Sequence, residues 1–193
     1  MLSMWSWSSY DANLLSSHDI PAVRQVRQEL LDDPGNPLRS TAYRERFAPG
    51  STFKTITAAG ALDSGTVTLD APVYPVTAEY TAPQTTRPIT NFGQSSCGGN
   101  LGDLLRVSCN TGFAEMGVDM GADVLVRTAE GFGFNDTFGI DLPDETASVI
   151  PDAGFYDDNI PLLAQSAIGQ FEVAATPLQM ARVAATIAND GIQ

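Results

Sequence analysis

The sequence predicts a helix-rich α+β domain, and three observations support that expectation. Apolar residues recur at helical spacing in several separate stretches, while a segment rich in β-branched residues and prolines, residues 66–91, interrupts them. The length, 193 residues with 43% hydrophobic content, suffices for one domain with its own core.

Ile20, Val23, Val26 and Leu30 mark the first amphipathic helix, with Pro21 near its start and Asp33-Pro34-Gly35-Asn36-Pro37 as its stop. A second helix begins at Ser51, buries Phe53, Ile56, Ala59 and Leu62 on one face, and ends at Asp63-Ser64-Gly65. Residues 66–91 hold Tyr74, Tyr80 and prolines at 72, 75, 83 and 88, which suit short strands or extended loops. Residues 101–107 read as a short helix that breaks at Ser108-Cys109-Asn110, and helical patterning resumes over 111–120 and 122–132 on either side of Gly121. The acidic stretch 141–159, with Asp141, Asp144, Glu145, Asp152, Asp157 and Asp158, lacks the spacing and central glycine of a calcium loop and reads as a solvated loop. The last helix has Thr176 as N-cap, Pro177 in its first turn, an alanine-rich body to Ala188 and the stop Asn189-Asp190-Gly191. No repeat at solenoid or propeller periods is present.

Charge and composition exclude several classes of function. With 23 acidic against 10 basic residues the net charge is −13, which opposes binding to nucleic acid or to an anionic membrane surface. The opening residues lack the basic and apolar regions of a signal peptide, and no run approaches the roughly 18–20 apolar residues that span a bilayer. One histidine, His18, and two cysteines, Cys97 and Cys109, are too few for a structural zinc site. No metal and no cofactor is expected. Whether the two cysteines form a disulfide depends on compartment and on a Cα separation below about 7 Å. Cys109 taken alone reads as a buried thiol, with no histidine nearby in sequence to activate it.

The chemistry-bearing pattern is Pro49-Gly50-Ser51-Thr52-Phe53-Lys54, which contains the chain's single lysine. Positions i and i+3 of a helix share a face with their Cβ atoms roughly 5–6 Å apart, so a lysine amine there can reach a serine hydroxyl. Serine needs an adjacent base to become a nucleophile, and a partly desolvated lysine is neutral often enough to be one. At a helix N-terminus the hydroxyl also sits where developing negative charge is favoured. Ser-x-x-Lys by itself is a weak signal, but Ser108-Cys109-Asn110 adds a Ser-x-Asn tripeptide on a helix break.

The longer runs RERFAPGSTFKTITAAGALDSG, RVSCNTGFAEMGVDMGAD, AEGFGF and SAIGQFEVAATPLQMARVAATIANDG resemble the transpeptidase domain of class B penicillin-binding proteins, especially the actinobacterial type. The likeness covers nearly the whole chain, and the opening MLSMWSWSSYDANLLSSHD resembles the family's strand and Ser-Tyr-Asp-Pro-Asn turn, with Ala12 in place of the proline. The resemblance implies the penicillin-binding protein/serine β-lactamase-like fold, an antiparallel sheet flanked by helices with a helical subdomain and the active site between them. It implies Ser51 as the acyl-forming nucleophile, Lys54 as its base, Ser108 as a proton relay to the leaving group and Asn110 as a holder of the substrate amide. The Ser51 N–H would supply half of an oxyanion hole. The implied partners are peptidoglycan stem peptides ending in D-Ala-D-Ala, β-lactam antibiotics and cell-division or elongation proteins, at the outer face of a bacterial membrane.

Two departures from the family pattern stand out. Phe171 follows Ile168-Gly169-Gln170 where the family often has glycine or a polar residue, and no Lys-Thr-Gly exists because no second lysine does. On this reading residues 1–193 are a partial transpeptidase domain, without the family's anchor, pedestal and Lys-Thr-Gly strand. Weak or absent turnover and marginal stability are then expected of the isolated chain, the latter to be tested against a cooperative melt above about 45 °C. A non-catalytic fragment that binds β-lactam or a partner is the alternative. A serine β-lactamase fits less well, because no Glu-x-x-Leu-Asn-type element follows Ser108 to serve deacylation.

Overall fold

The computed structural model describes residues 3–192. Among the described residues seven α-helices run in chain order: α1 (Ile20–Asp32), α2 (Lys54–Asp63), α3 (Leu101–Val107), α4 (Asn110–Met120), α5 (Ala122–Gly131), α6 (Ile160–Ser166) and α7 (Pro177–Ala188). Between α2 and α3 lie the strands β1 (Tyr74–Thr77), β2 (Glu79–Tyr80), β3 (Ile89–Thr90) and β4 (Cys97–Gly99). They form two antiparallel pairs, β1 with β4 and β2 with β3.

The helices form where sequence and capping agree. Thr176 Oγ1 accepts the Gln179 N–H at 3.1 Å to cap α7, and Asn100 Oδ1 accepts the Asp103 N–H at 3.1 Å to cap α3. Asp19 caps α1 through the Ala22 N–H at 3.2 Å. Helix α1 is formed as expected, yet none of its residues is fully buried: Val23, Val26 and Leu30 are partly buried and the rest of the helix is exposed.

The core gathers around α2. Phe53, Ile56 and Ala61 are fully buried with Phe113 and Met116 of α4, Leu125 and Ala129 of α5, and Leu163 and Ala164 of α6. Phe53 meets Phe134 edge-on, 5.5 Å between centroids. Helices α4 and α6 approach closely because Gly117 has no side chain: a Cβ there would lie 2.2 Å from the Ala167 Cβ. Leu62, expected on the buried face of α2, is 40% exposed, because Ala58 and Ala61 rather than Leu62 turn inward at the end of the helix.

Two local expectations are corrected. The opening segment, read as a strand, has no strand among residues 3–10, since no neighbouring chain pairs with its backbone. Ser6 Oγ instead accepts the Ala42 N–H at 3.1 Å; Met1 and Leu2 lie outside the described residues. The acidic stretch is more than a solvated loop. Glu145 draws the N–H groups of Phe138, Gly139 and Ile140 at 2.6, 3.0 and 3.2 Å, and a 3-10 turn, Ala153–Tyr156, buries Tyr156 completely.

Candidate active site

Ser51 stands exposed in a 3-10 turn, Gly50–Phe53, that leads directly into α2. The expected helix start at Ser51 is thus a tighter first turn, closed by the Lys54 N–H on the Ser51 carbonyl, with regular α-helix from Lys54. The turn is held by the chain at 166–170. Gly50 N–H donates to the Gly169 carbonyl at 2.9 Å, and Thr57 Oγ1 donates to the Ala167 carbonyl at 2.7 Å. Gly169 has φ 70°, and a Cβ on it would lie 2.2 Å from the Gly50 carbonyl oxygen and 2.7 Å from the Phe53 Cβ. Only glycine satisfies both the left-handed backbone and that approach.

Lys54 is 2% exposed. Its Nζ donates to the Ser108 carbonyl at 2.7 Å, to Ser108 Oγ at 3.2 Å and to Asn110 Oδ1 at 2.6 Å, and lies 5.6 Å from the centroid of the Phe113 ring. Burial lowers its pKa from 10.5 to about 8. Three acceptors pull the other way by favouring the ammonium, and desolvation outweighs them. No hydrogen bond joins Lys54 to Ser51 among the described residues; the three donors of the ammonium are all engaged on the Ser108 and Asn110 side.

Ser108 ends α3 in the left-handed region, φ 56° and ψ 47°. This is the helix break seen in the sequence, and it aims the Ser108 carbonyl and hydroxyl together at Lys54. Asn110, at the start of α4, uses both ends of its side-chain amide: Oδ1 faces Lys54, and Nδ2 donates to the Thr90 carbonyl at 2.9 Å. One amide hydrogen and one lone pair remain for an external group. Lys54, Ser108 and Asn110 thus come together from two parts of the chain more than fifty residues apart, while Ser51 stands one turn before Lys54 with its side chain in none of these hydrogen bonds.

Cys97 and Cys109 are bonded in a disulfide, Cα to Cα 5.8 Å, so Cys109 is buried but is not the free thiol it resembled in sequence. The bond ties β4 to the residue between Ser108 and Asn110. Asn91, which sequence reading passed over, does a related job. This buried amide donates to the Thr77 and Ser95 carbonyls at 2.9 and 3.0 Å and accepts the Thr111 N–H at 3.1 Å, locking the strand region onto the first turn of α4. A lone Asn before a Phe-Gly turn carries no signal of that role. Gly169 could have been suspected, because it sits in the quoted Ala-Ile-Gly-Gln run.

This geometry can be set beside known proteins. The whole chain, residues 1–193, matches the Penicillin binding protein transpeptidase domain. Peptidoglycan D,D-transpeptidase PbpA of Mycolicibacterium smegmatis is 41% identical over 203 residues, covering 100% of this chain and 39% of that protein. A solved structure of penicillin-binding protein A from M. tuberculosis, an imipenem acyl-enzyme complex, superposes with a TM-score of 0.91 at 36% identity, covering 98% of this chain and 43% of that one. The Helicobacter pylori penicillin-binding protein PBP2, solved in complex with MreC, gives a TM-score of 0.72 at 25% identity over 81% of this chain and 30% of that one. The chain therefore spans about two fifths of the length of that curated relative. Ser-x-x-Lys and Ser-x-Asn, the helical cluster around α2 and the match along all 193 residues make the chain a member of the penicillin-binding protein transpeptidase family.

Proposed function

We propose that this chain carries the acyl-serine chemistry of D,D-transpeptidation, with Ser51 as nucleophile and Lys54 as its base. The observation that carries the reading is the single lysine, buried, held near a pKa of about 8 and hydrogen-bonded to Ser108 and Asn110 one turn from an exposed serine. A neutral amine has two hydrogens and one lone pair. Deprotonated Lys54 therefore keeps two of its three acceptors, and its lone pair is released to take the Ser51 proton.

Ser51 Oγ then attacks the carbonyl of the penultimate D-Ala of a stem peptide, with the Ser51 N–H among the donors that meet the oxyanion. As the C–N bond breaks, the proton on Lys54 passes through Ser108 Oγ, 3.2 Å away, to the departing amine of the last D-Ala. An acceptor amine displaces Ser51 from the ester by the reverse proton route, closing the cross-link. A β-lactam follows the first half and remains bonded, because its leaving amine stays tethered in the opened ring.

Asn110, pinned by Lys54 and Thr90, offers its remaining amide hydrogen to the substrate backbone. An extracytoplasmic setting is supported by the Cys97–Cys109 disulfide, a bond that persists in oxidising compartments. The H. pylori relative's complex with MreC supports a partner among wall-elongation or division proteins.

The test is intact-mass spectrometry of the chain after incubation with benzylpenicillin, beside Ser51→Ala. An adduct of the antibiotic's mass on the parent and none on the variant is expected. An unmodified parent that circular dichroism shows to be folded overturns the assignment of Ser51.

A further inference from the structure

A hollow of about 720 Å³, a size usual for small-molecule sites, is lined by residues from the C-terminal ends of α2, α5 and α7. Asp63, the last residue of α2, lines it roughly 14 Å along the helix axis from Lys54. The hollow is therefore separate from the candidate active site.

Its charges are arranged against local preference. A helix C-terminus carries the negative end of the peptide dipoles, and a basic residue in the last turn favours it. None of the three helices has one there, and α2 ends instead on the exposed carboxylate of Asp63, which its own dipole disfavours. An ammonium is drawn to such a place. From α5 comes the opposite charge, since Arg127 also lines the hollow. Arg127 gives its Nε–H to the Asp123 carbonyl at 3.2 Å, and among the described residues neither Arg127 nor Asp63 takes part in an ion pair. Thr186 of α7 borders the same space, is 4% exposed, and has an Oγ1 with no hydrogen-bond partner. Buried hydroxyls in that condition are rare because the lost hydration is not replaced. Ala59, Val124 and Phe132 supply an apolar wall.

We propose that this hollow binds a zwitterion with an apolar side chain, of amino-acid or dipeptide size. Its ammonium meets Asp63 and the carbonyl end of α2, its carboxylate meets Arg127 and the Thr186 hydroxyl, and its side chain lies on Ala59, Val124 and Phe132. A guest with one charge fits less well, because an anion faces Asp63 and the helix ends while a cation faces Arg127.

The experiment titrates the ¹⁵N-labelled chain with L-leucine, glycine, N-acetyl-L-leucine, L-leucinamide and L-leucyl-L-leucine, following backbone amides by NMR. Leucine is expected to bind at about 1 mM or tighter and to shift the amides of Ser64, Thr128 and Gly131. Glycine lacks the side chain, N-acetyl-leucine the ammonium and leucinamide the carboxylate, and each is expected to bind about threefold to tenfold more weakly. Leucyl-leucine binding more tightly than leucine identifies a dipeptide guest and weaker binding a free amino acid, both in support of the site. Asp63→Asn should weaken leucine and leucinamide but not N-acetyl-leucine, and Arg127→Gln should weaken leucine and N-acetyl-leucine but not leucinamide, a pattern that a merely structural role does not produce. Thr186→Val should weaken leucine while its thermal melt stays level or rises, because the unpartnered hydroxyl is gone. A thermal melt on all three variants separates binding from folding. No saturable shift with leucine or leucyl-leucine, shifts that avoid the three amides, equal affinity for leucine and its two capped forms, or variant effects that do not follow the charge removed overturn the proposal.

Discussion

If neutral Lys54 takes the Ser51 proton, the rate of acylation must follow the titration of that amine. With a pKa of about 8, roughly one molecule in ten holds the neutral amine at pH 7 and roughly one in a hundred at pH 6. The second-order rate constant for benzylpenicillin is therefore expected to rise about tenfold per pH unit up to pH 7, to bend near pH 8 and to level off above it. Relative to the plateau, the loss at pH 6 is about 100-fold, or roughly 2.7 kcal/mol of barrier. Mass-spectrometric sampling of acylated protein at fixed antibiotic concentration reads the profile, and hydroxide hydrolysis of the free drug is subtracted at the alkaline end. A flat profile between pH 6 and 9, or a bend near 10.5, refutes the pairing of a desolvated Lys54 with Ser51. The same amine affects folding with a defined sign. The folded chain binds fewer protons than the unfolded chain between about 8 and 10.5, so the cost of burying the ammonium, full below pH 8, is relieved as pH rises through that window. Tyr74 and Tyr80, whose phenols burial and the nearby Asp119 and Glu115 hold above their usual value, oppose this at the alkaline end. The comparison is therefore parent against Lys54→Met, and the parent's relative stability should climb between pH 8 and 10.

Other outcomes follow from the same contacts. Asn110→Ala removes a 2.6 Å bond to the ammonium and the tie to Thr90; a loss of about 1.5–3 kcal/mol in denaturant unfolding is expected, with the acylation bend shifted below pH 8. Gly169→Ala places a Cβ 2.2 Å from the Gly50 oxygen at φ 70°; destabilisation of about 2–4 kcal/mol and slower acylation are expected, and parent-like values of both would show that the 166–170 segment does not position Ser51. Opening the Cys97–Cys109 bond, twelve residues apart in sequence, should cost about 3 kcal/mol in unfolding experiments with Cys97→Ala/Cys109→Ala, and two titratable thiols in native, unreduced protein would show that no bond forms.

Much of this protein is legible without coordinates because its signals are local. The N-cap Thr176, Pro177 and the Asn-Asp-Gly stop delimit α7, and they coincide with the helix Pro177–Ala188. The interruption at Ser108-Cys109-Asn110 marks the gap between α3 and α4, since a left-handed residue there ends one helix and the next restarts at once. Ser-x-x-Lys sets the spacing of hydroxyl and amine along one turn, and the family likeness rests on such contiguous runs. The partners of Lys54 are another matter. Its three acceptors lie on residues 54 to 56 positions away, so the route of the β1–β4 segment decides whether the amine meets Ser51 or Ser108. The disulfide likewise needs β4 beside the start of α4, a distance that spacing alone does not determine. Gly169 matters because α6 delivers it against Gly50, and the Phe171 ring acquires a partner only when the turn at Ala153–Tyr156 brings Phe155 to it. Periodicity and capping act over a few residues, and they decide the elements. The amine's desolvation and the clamp on Ser51 arise from contacts between distant segments, whose free energy exists only once the chain has closed around them.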